Sequence, residues 1–440
     1  MVPSRLMKVA PPRAAGDVSA GAPVVPRAGA VEAAGPVRFA ALQSRNFRLL
    51  WIGLLTSNAG TWMESTGMGW LVTDLQPDRK AFWLGMIAAA FAVPMLVLPP
   101  IGGAVADRVP RLRMLWTVQT AYLVASAALA ILTLAGVVNV WYLLVYSFIN
   151  GGVLAFDSPT RHALLPDLVS RGQLTSAVSL NSVSFTGAAL VGPAIAGVLI
   201  PLIGVGGVFV VNTVSCFATL WALSRMRNVP QRSRHGAAAG GAFAAIRRGI
   251  GYVRRDPLVR GLLTISLVSG LLGRSYGPML AVFARDEFHV GSTAYGFLLA
   301  AGGLGTLAGA LGLAGRGDVS HRGRWLMVAT VCQATLLLLF ALCPWYAIAL
   351  GLLVLVGAAT AVAGALTATL IQLTAPNELR GRIMSLYVLT LIGVPSAGAL
   401  LAGAAVEAVG VREAIATGAA IVILLAGVVF ARNPSLRTAW

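Results

Sequence analysis

Charged side chains are scarce in this chain of 440 residues, at 11% of the total, and the acidic ones number only 15. So few charges cannot cover the surface of a water-soluble globule of this length. There are also only three cysteines and four histidines, and none of them stand at metal-ligand spacing. This scarcity excludes an ordinary soluble protein and predicts no metal site, no cofactor and no catalytic residues.

A phosphate-binding loop is absent as well, because no GxxxxGK[S/T] sequence occurs in the chain. Transport driven by ATP would therefore need another subunit. The 33 lysines and arginines give a formal net charge of +18, but the arginines are dispersed among short connectors, unlike the continuous patch of a nucleic-acid-binding surface. Contact with anionic lipid explains the excess better, and no nucleic-acid partner is expected.

Long apolar stretches are what the chain has in abundance, with 57% hydrophobic residues and 50 glycines. A helix of about 20 apolar residues crosses the roughly 30 Å hydrocarbon core of a membrane. We predict spans at about 48–73, 82–105, 113–135, 140–160, 174–200, 206–225, 259–283, 293–314, 325–343, 346–372, 382–404 and 413–431. The sequence thus predicts an all-α membrane protein with twelve transmembrane helices.

Basic residues concentrate in every second connector and in both tails. The connectors between them hold only Arg79, Lys80, Arg285 and Arg412. Because cytoplasmic loops carry the excess of lysine and arginine, the basic connectors and both termini are predicted to be cytoplasmic.

An internal repeat relates the two halves of the chain. PDLVSRGQLTS from Pro166 and PNELRGRIMSL from Pro376 each lead into a glycine-bearing span, and Gly187, Gly192 and Gly197 match Gly393, Gly398 and Gly403 at a constant shift. A parallel duplication of a six-helix unit follows. The predicted divisions are a disordered cytoplasmic tail (1–42), a six-helix bundle (43–226), a cytoplasmic linker (227–257), a second six-helix bundle (258–432) and a cytoplasmic tail (433–440).

The linker carries its own pattern, since Phe243, Ile246, Ile250 and Val253 recur at helical spacing opposite four arginines. Such a helix is predicted to lie on the cytoplasmic membrane surface. Positioning the two halves is the plain function of this linker, and a regulatory or partner-binding role is the alternative.

The sequence GGAVADRVPRLR follows the second predicted span and resembles the signature turn of the major facilitator superfamily, although one glycine and one basic residue of the signature are replaced. The matching residues are Gly103, Asp107, Arg108 and Arg111. The resemblance implies two pseudo-symmetric six-helix bundles and a cytoplasmic gate at this turn. A basic turn that serves only membrane topology is the alternative.

Asp157 and Arg161, at the end of the fourth span, stand four residues apart and would share a helix face if Pro159 does not break the helix. Within the resemblance, Asp157 would join the gate cluster around Asp107. An isolated interfacial pair is an equally good interpretation.

The fifth span carries GAALVGPAIAG, which resembles a glycine-proline motif of the superfamily's exporters. Pro193 removes a backbone hydrogen bond and is predicted to kink the helix, while Gly192 and Gly197 permit close packing against the opposite half. Together with Gly187, these residues favour export. A packing surface of small residues without directional meaning is the alternative.

Two charges, Glu64 and Arg274, fall inside predicted spans at similar depths and are related by the duplication. Buried charges in a membrane are costly unless they are paired or face water. We predict that both line a central cavity and pair across it, with Trp62 and Tyr276 nearby, and that Glu64 carries the coupled proton. A fixed structural ion pair, or a side chain reaching the outer interface, is the alternative.

At closer range the chain resembles, over about residues 45–430, the bacterial branch of drug and siderophore exporters, in stretches such as DSPTRHALLPDLV and LTAPNELRGRIMSLY. The resemblance implies a monomeric, proton-coupled exporter of amphipathic small molecules in the bacterial inner membrane, working by alternating access. An importer or facilitator of the same fold remains open, as does a non-transporting sensor or membrane enzyme.

Overall fold

The structure, a computed structural model, describes residues 39–98, 105, 109–227, 250–317, 320–434 and 436. Within these ranges every regular element is helical and none is a strand. The long helices are α1 (Arg45–Leu75), α2 (Lys80–Val97), α3 (Arg111–Leu134), α4 (Val140–Leu168), α5 (Leu174–Arg225), α6 (Pro257–Val268), α7 (Ser292–Gly315), α8 (Arg322–Leu342), α9 (Tyr346–Thr374), α10 (Arg380–Val409) and α11 (Val411–Arg432).

Ten helical segments of the described part are long and apolar enough to cross a membrane. The longest contains α5, which breaks at Gly204, where φ of 72° and ψ of 170° are not helical. At 1.5 Å per residue, α5 is about 78 Å long, enough for two crossings of an apolar layer about 30 Å thick. Its two parts are called the first arm (174–203) and the second arm (205–225). The chain is a multi-pass, all-α membrane protein.

The seventh predicted span is not one continuous helix. After α6 the chain passes through a π-helical turn (Ser269–Gly273), a 3₁₀ turn (Gly277–Met279) and a second π-helical turn (Phe283–Glu287). A π turn inserts an extra residue and so changes the direction in which the following side chains point. The sequence prediction treated this span as one helix, although Gly277 and Pro278 inside it are residues that favour a break.

Helix α4, by contrast, continues beyond its predicted end near residue 160. It reaches Leu168 and passes through Pro159 and Pro166. Proline is tolerated inside membrane helices because neighbouring groups can hydrogen-bond to the carbonyls that it leaves free.

The packing of the helices repeats along the chain. In the first half (residues 39–227), α2 contacts α4, α3 contacts α5, and α1 contacts α5. In the second half (residues 250–436), α7 contacts α9, α8 contacts α11, and the turn Ser269–Gly273 contacts α10. The two most extensive contacts between the halves, α2 with α10 and α5 with α7, are also equivalent under the duplication.

Two ends of the bundle differ in how their cores are built. At the end that holds residues 76–80, 284–292 and 406–413, here called the closed face, one apolar cluster joins both halves and includes Met68, Phe209, Phe283 and Phe340. At the opposite end, here called the tail face, each half has its own cluster. Phe47, Leu164 and Leu223 belong to the first, and Leu262, Leu370 and Phe430 to the second.

Parts of the predicted domain plan fall outside the described residues. These parts are positions 1–38 of the N-terminal tail and most of the linker, including Phe243 and Ile246 of its amphipathic pattern. Residues 40–43 form a 3₁₀ turn, and the amide of Ala41 donates to Ser176 Oγ at 3.3 Å. The end of the predicted tail therefore packs against the first half.

Candidate functional site

Ion pairs join the two halves at the closed face. Lys80 Nζ lies 2.5 Å from Asp286 Oδ1, and Arg285 Nη2 lies 2.5 Å from Asp74 Oδ1. The same guanidinium donates to Thr73 Oγ1 at 2.7 Å and lies 5.0 Å from the centre of the Trp70 ring. Lys80 and Arg285, two of the few basic residues of this face, therefore join the halves.

Glu407, near the end of α10, caps a helix of the other half. Its Oε1 accepts hydrogen bonds from the backbone amides of Ala81 at 3.0 Å and Phe82 at 3.2 Å. These amides belong to the first turn of α2, which has no side-chain cap of its own from Arg79. A carboxylate at this place satisfies free N–H groups and favours the positive end of the helix dipole.

The sequence interpretation missed these closed-face residues. The signal that could have found them is the group of acids at the three connectors with few basic residues, where Asp74, Asp286 and Glu407 stand close to helix ends.

Glycines bring the helix backbones of the two halves together. A methyl group at Gly197 of α5 would lie 2.9 Å from the carbonyl oxygen of Thr293 and 3.0 Å from Gly296 Cα in α7. A methyl group at the equivalent Gly403 of α10 would collide with the carbonyl oxygen of Ala81 in α2. Both interfaces therefore depend on the absence of a side chain.

The other predicted motif glycines lie elsewhere. A methyl group at Gly192 would lie 2.6 Å from Cβ of Trp62, in α1 of the same half, whereas Gly187 has open space around it. Of the two glycines predicted to pack against the opposite half, only Gly197 does so, because the two stand on different faces of α5. The helix continues through Pro193 and is interrupted at Gly204.

The signature turn is described only in part, since Gly103, Asp107 and Arg108 lie outside the described residues. Arg111 forms an ion pair with Asp167 at the end of α4 and donates to the carbonyl oxygen of Ala163 at 2.8 Å. It therefore ties the start of α3 to α4.

The ion pair between Asp157 and Arg161 forms, because α4 stays helical through Pro159. Asp157 Oδ1 also accepts from Gln119 Nε2 of α3 at 2.9 Å. Both side chains lie inside the first half, at its tail-face side.

Glu64 is enclosed within the first half, with only 1% of its surface exposed. Its carboxyl group accepts from Tyr122 at 3.0 Å, from Ser126 at 2.9 Å and from Asn212 at 2.7 Å, and the Tyr146 hydroxyl donates to the same oxygen as Tyr122. These donors come from α3, α4 and the second arm of α5. The carboxyl group faces the inside of the bundle.

The hydrogen-bond network around Glu64 can be rearranged. The Tyr122 hydroxyl also lies 3.0 Å from Thr61 Oγ1, and the Ser126 hydroxyl lies 3.1 Å from Thr213 Oγ1, where either oxygen can donate. Hydroxyl hydrogens rotate, so these groups can donate to a carboxylate or turn away and accept from a carboxylic acid. No described lysine or arginine forms an ion pair with Glu64.

The predicted pairing of Glu64 with Arg274 is not formed. Arg274 Nη2 donates to the backbone carbonyl of Thr390 in α10 at 2.8 Å. Glu64 faces the inside of its bundle, whereas Arg274 follows the π-helical turn Ser269–Gly273, which directs it toward α10. Glu64 and Arg274 occupy equivalent positions in the two repeats of the sequence, but their side chains lie on different sides of the corresponding helices.

The two aromatic residues predicted near these charges differ in their surroundings. Trp62 is partly buried and its ring meets the edge of Phe185 at 6.0 Å, within the first half. Tyr276 is partly buried and packs against the apolar cluster that both halves share. Tyr276 therefore borders the boundary between the halves.

A helical bundle made of two similarly packed halves, joined by two equivalent glycine interfaces, is the fold of major facilitator superfamily transporters. The model of one family of that superfamily, described as transmembrane secretion effector (MFS_3), matches residues 37–438. The chain belongs to this family.

Named relatives of this chain are transporters. The multidrug efflux pump Tap of Mycolicibacterium fortuitum is 28% identical over 404 residues, which cover 88% of this chain and 96% of Tap. The enterobactin exporter EntS of Shigella boydii is 25% identical over 80% of this chain and 84% of its own length. The staphyloferrin A transporter of Staphylococcus aureus is 27% identical over 54% of this chain and 59% of its own length.

Solved structures share the fold. A bacterial homolog of the human lysosomal transporter Spinster, in an inward-facing conformation, superposes with a TM-score of 0.70 at 14% identity, over 89% of this chain and 97% of that one. A bacterial homologue of the iron transporter ferroportin, also inward-facing, gives 0.67 at 18% identity, over 88% and 98%.

Proposed function

We propose that this protein is a secondary active exporter of amphipathic small molecules that works by alternating access. The chain crosses the bacterial inner membrane twelve times, with α1 and the two arms of α5 counted as three crossings. Both termini lie in the cytoplasm, so the tail face is the cytoplasmic face. This orientation follows from the basic residues of the tail-face connectors.

The difference between the two faces is the observation that carries the proposal. Every hydrogen bond and ion pair between the halves, among the described residues, lies at the closed face. At the tail face the described apolar residues form two separate clusters. Two halves that are joined at one face and separate at the other form one state of a rocking pair.

The direction of transport is supported by the relatives Tap and EntS, which are an efflux pump and an exporter. The glycine-proline motif of α5 agrees with them through Gly197, which contacts α7. The signature turn with Gly103, Asp107, Arg108 and Arg111, together with Asp157 and Arg161, closes the cytoplasmic face in the alternate state.

Glu64 is the group that binds and releases the coupled proton. A carboxylate that is buried without a cation is costly in a membrane, and its rotatable donors can serve either protonation state. Binding of a proton would change which hydroxyls donate inside the first half. The same residues connect α1, α3, α4 and the second arm of α5. Since α4 packs against α2 and α1 packs against the first arm of α5, the change can reach the two first-half helices that form the boundary.

Transport by purified protein in liposomes tests the proposal. Retention of a panel of fluorescent amphipathic dyes is measured with an imposed pH gradient, with and without an uncoupler. We expect gradient-driven movement in the exporting direction by the wild type. Glu64→Gln keeps the shape of the side chain and is expected to lower gradient-driven transport at least tenfold, while downhill exchange continues.

Glu413→Gln provides the control, because Glu413 is exposed at the closed face. If Glu64→Gln transports with unchanged dependence on the gradient, Glu64 is not the coupling group. Gradient-driven movement in the opposite direction would identify an importer. No transport of any panel member by a folded wild-type protein would contradict the proposal.

A further inference from the structure

Arg274 carries a charge at about the middle of the membrane. It follows the start of α6 at Pro257 by seventeen residues and precedes Arg285 of the closed face by eleven. If about 1.5 Å per residue is taken as the average rise of these successive helical turns, the separations correspond to about 25 Å and about 16 Å. A guanidinium at this depth is costly unless its charge is compensated.

The protein compensates this guanidinium only in part. One hydrogen bond, from Nη2 to the Thr390 carbonyl, is formed, and Nε is buried without a hydrogen-bond partner. No carboxylate among the described residues pairs with it. By contrast Arg111, Arg161 and Arg285 each have a carboxylate partner.

The surroundings place Arg274 beside the boundary between the halves. The turn Gly277–Met279, which follows it closely, contacts α2 of the first half, and the next turn, Leu280–Val282, contacts α1. Helix α10, which supplies the Thr390 carbonyl, meets α2 again where Gly393 lies against Leu96. The charge therefore lies next to the surfaces that move relative to one another.

Tyr276 adds a second polar group and an apolar body. Its ring packs against the cluster shared by both halves, and its hydroxyl forms no hydrogen bond with a described residue. Tyr387, also near Arg274, differs because its hydroxyl donates to the Gly364 carbonyl at 2.6 Å. A guanidinium with free donors, beside a free phenol and an apolar wall, suits an anion attached to a hydrophobic body.

We propose that Arg274 is the anion-binding group of a substrate subsite at the boundary between the halves, and that the transported molecules carry a carboxylate or phenolate on an apolar body. The inference rests on the proposed transport function and names its substrate class. Tyr276 donates a second hydrogen bond to the bound anion. The bound anion then serves as the carboxylate partner that Arg274 lacks among the described residues.

A matched pair of probes tests the proposal. The fluorescent 6-butoxy-2-naphthoate and its carboxamide have the same apolar body and differ in charge. Binding of each to the purified full-length protein is measured by fluorescence anisotropy. The wild type is expected to bind the carboxylate at least tenfold more tightly than the amide. Arg274→Gln is expected to bring this ratio close to one by weakening binding of the carboxylate alone.

Three further variants separate a specific site from a general effect. Arg324→Gln removes an exposed arginine from the start of α8 and is expected to keep the wild-type ratio. Arg274→Lys retains the charge and is expected to keep part of the preference, which matters if Arg274→Gln does not fold. Tyr276→Phe is expected to weaken binding of the carboxylate about threefold.

Equal binding of the two probes by the wild type, or a preference that survives in folded Arg274→Gln, would overturn the subsite. Gradient-driven transport of neutral or cationic dyes would then still support the transport function. Loss of transport for every dye would instead count against the transport function itself.

Discussion

The closed face and the tail face differ in how the apolar residues of the two halves are buried. At the closed face the halves share one apolar cluster, and ion pairs and a helix cap cross between them. At the tail face each half completes its own core. A half that buries its own apolar residues can separate from its partner without exposing a shared core to water, and this difference shows which contacts a conformational change must break.

The contacts that cross the closed face are individually weak. Side chains of the Arg285–Asp74 pair are 35% and 43% exposed, and such ion pairs contribute about 0–1 kcal/mol. A helix cap contributes about 1 kcal/mol. Reversing a two-state population from 1:99 to 99:1 takes about 5.5 kcal/mol. A few such contacts are therefore enough to hold the face closed and few enough for a substrate or proton to overcome.

The largest effect is expected from filling the glycine interfaces. Gly197→Val together with Gly403→Val inserts side chains where backbone atoms of the other half already lie. Overpacking costs about 1–3 kcal/mol at each site, so the closed face should open at least tenfold more often. An impermeant maleimide, applied from the closed-face side, should alkylate a cysteine placed at Leu84 correspondingly faster.

The matched control for this variant is Gly187→Val, in the same motif but with open space around it. It should leave the alkylation rate within about twofold of the unsubstituted protein, since surface changes of this kind are worth about 0.5 kcal/mol or less. Equal rates for the control and the double variant would show that the glycine contacts do not hold the face closed.

An intermediate effect is expected at the cap of α2. Glu407→Gln keeps an oxygen acceptor but removes the charge that favours the helix N-terminus, at a cost of about 0.3–1 kcal/mol. The Leu84 cysteine should be alkylated about two to five times faster. Glu407→Ala also removes the hydrogen bonds to the α2 amides, so its alkylation rate should be higher than that of Glu407→Gln. If both substitutions leave the rate unchanged, the cap does not stabilise the closed face.

The smallest effect is expected from the ion pair of Lys80 with Asp286. Lys80→Asp should raise the alkylation rate about twofold, and adding Asp286→Lys should restore it, because the reversed pair has the same attraction. The effect should shrink in high salt, since exposed charges are screened. A reversed pair that behaves like the single variant would assign the effect to packing.

Much of the fold could be predicted from the sequence, because the length of each apolar stretch predicts a membrane span and the repeated glycines indicate the duplication. The break after α6 was not predicted, since a π-helical turn changes side-chain direction without changing composition. The predicted pairing of Glu64 with Arg274 was wrong for the same reason, because the π-helical turn before Arg274 directs its side chain toward α10. The closed-face contacts were missed because they join residues more than two hundred positions apart, such as Lys80 and Asp286.

Paired distance measurements test the central claim most directly. In a cysteine-free background, spin labels are placed across the closed face at Asp78 and Glu413, and across the tail face at Arg171 and Glu378, which are all exposed. The free protein should show a short closed-face distance and a longer tail-face distance. Transported compound or acid pH should lengthen the first while shortening the second. Two distances that stay fixed, or that change in the same direction, would contradict alternating access.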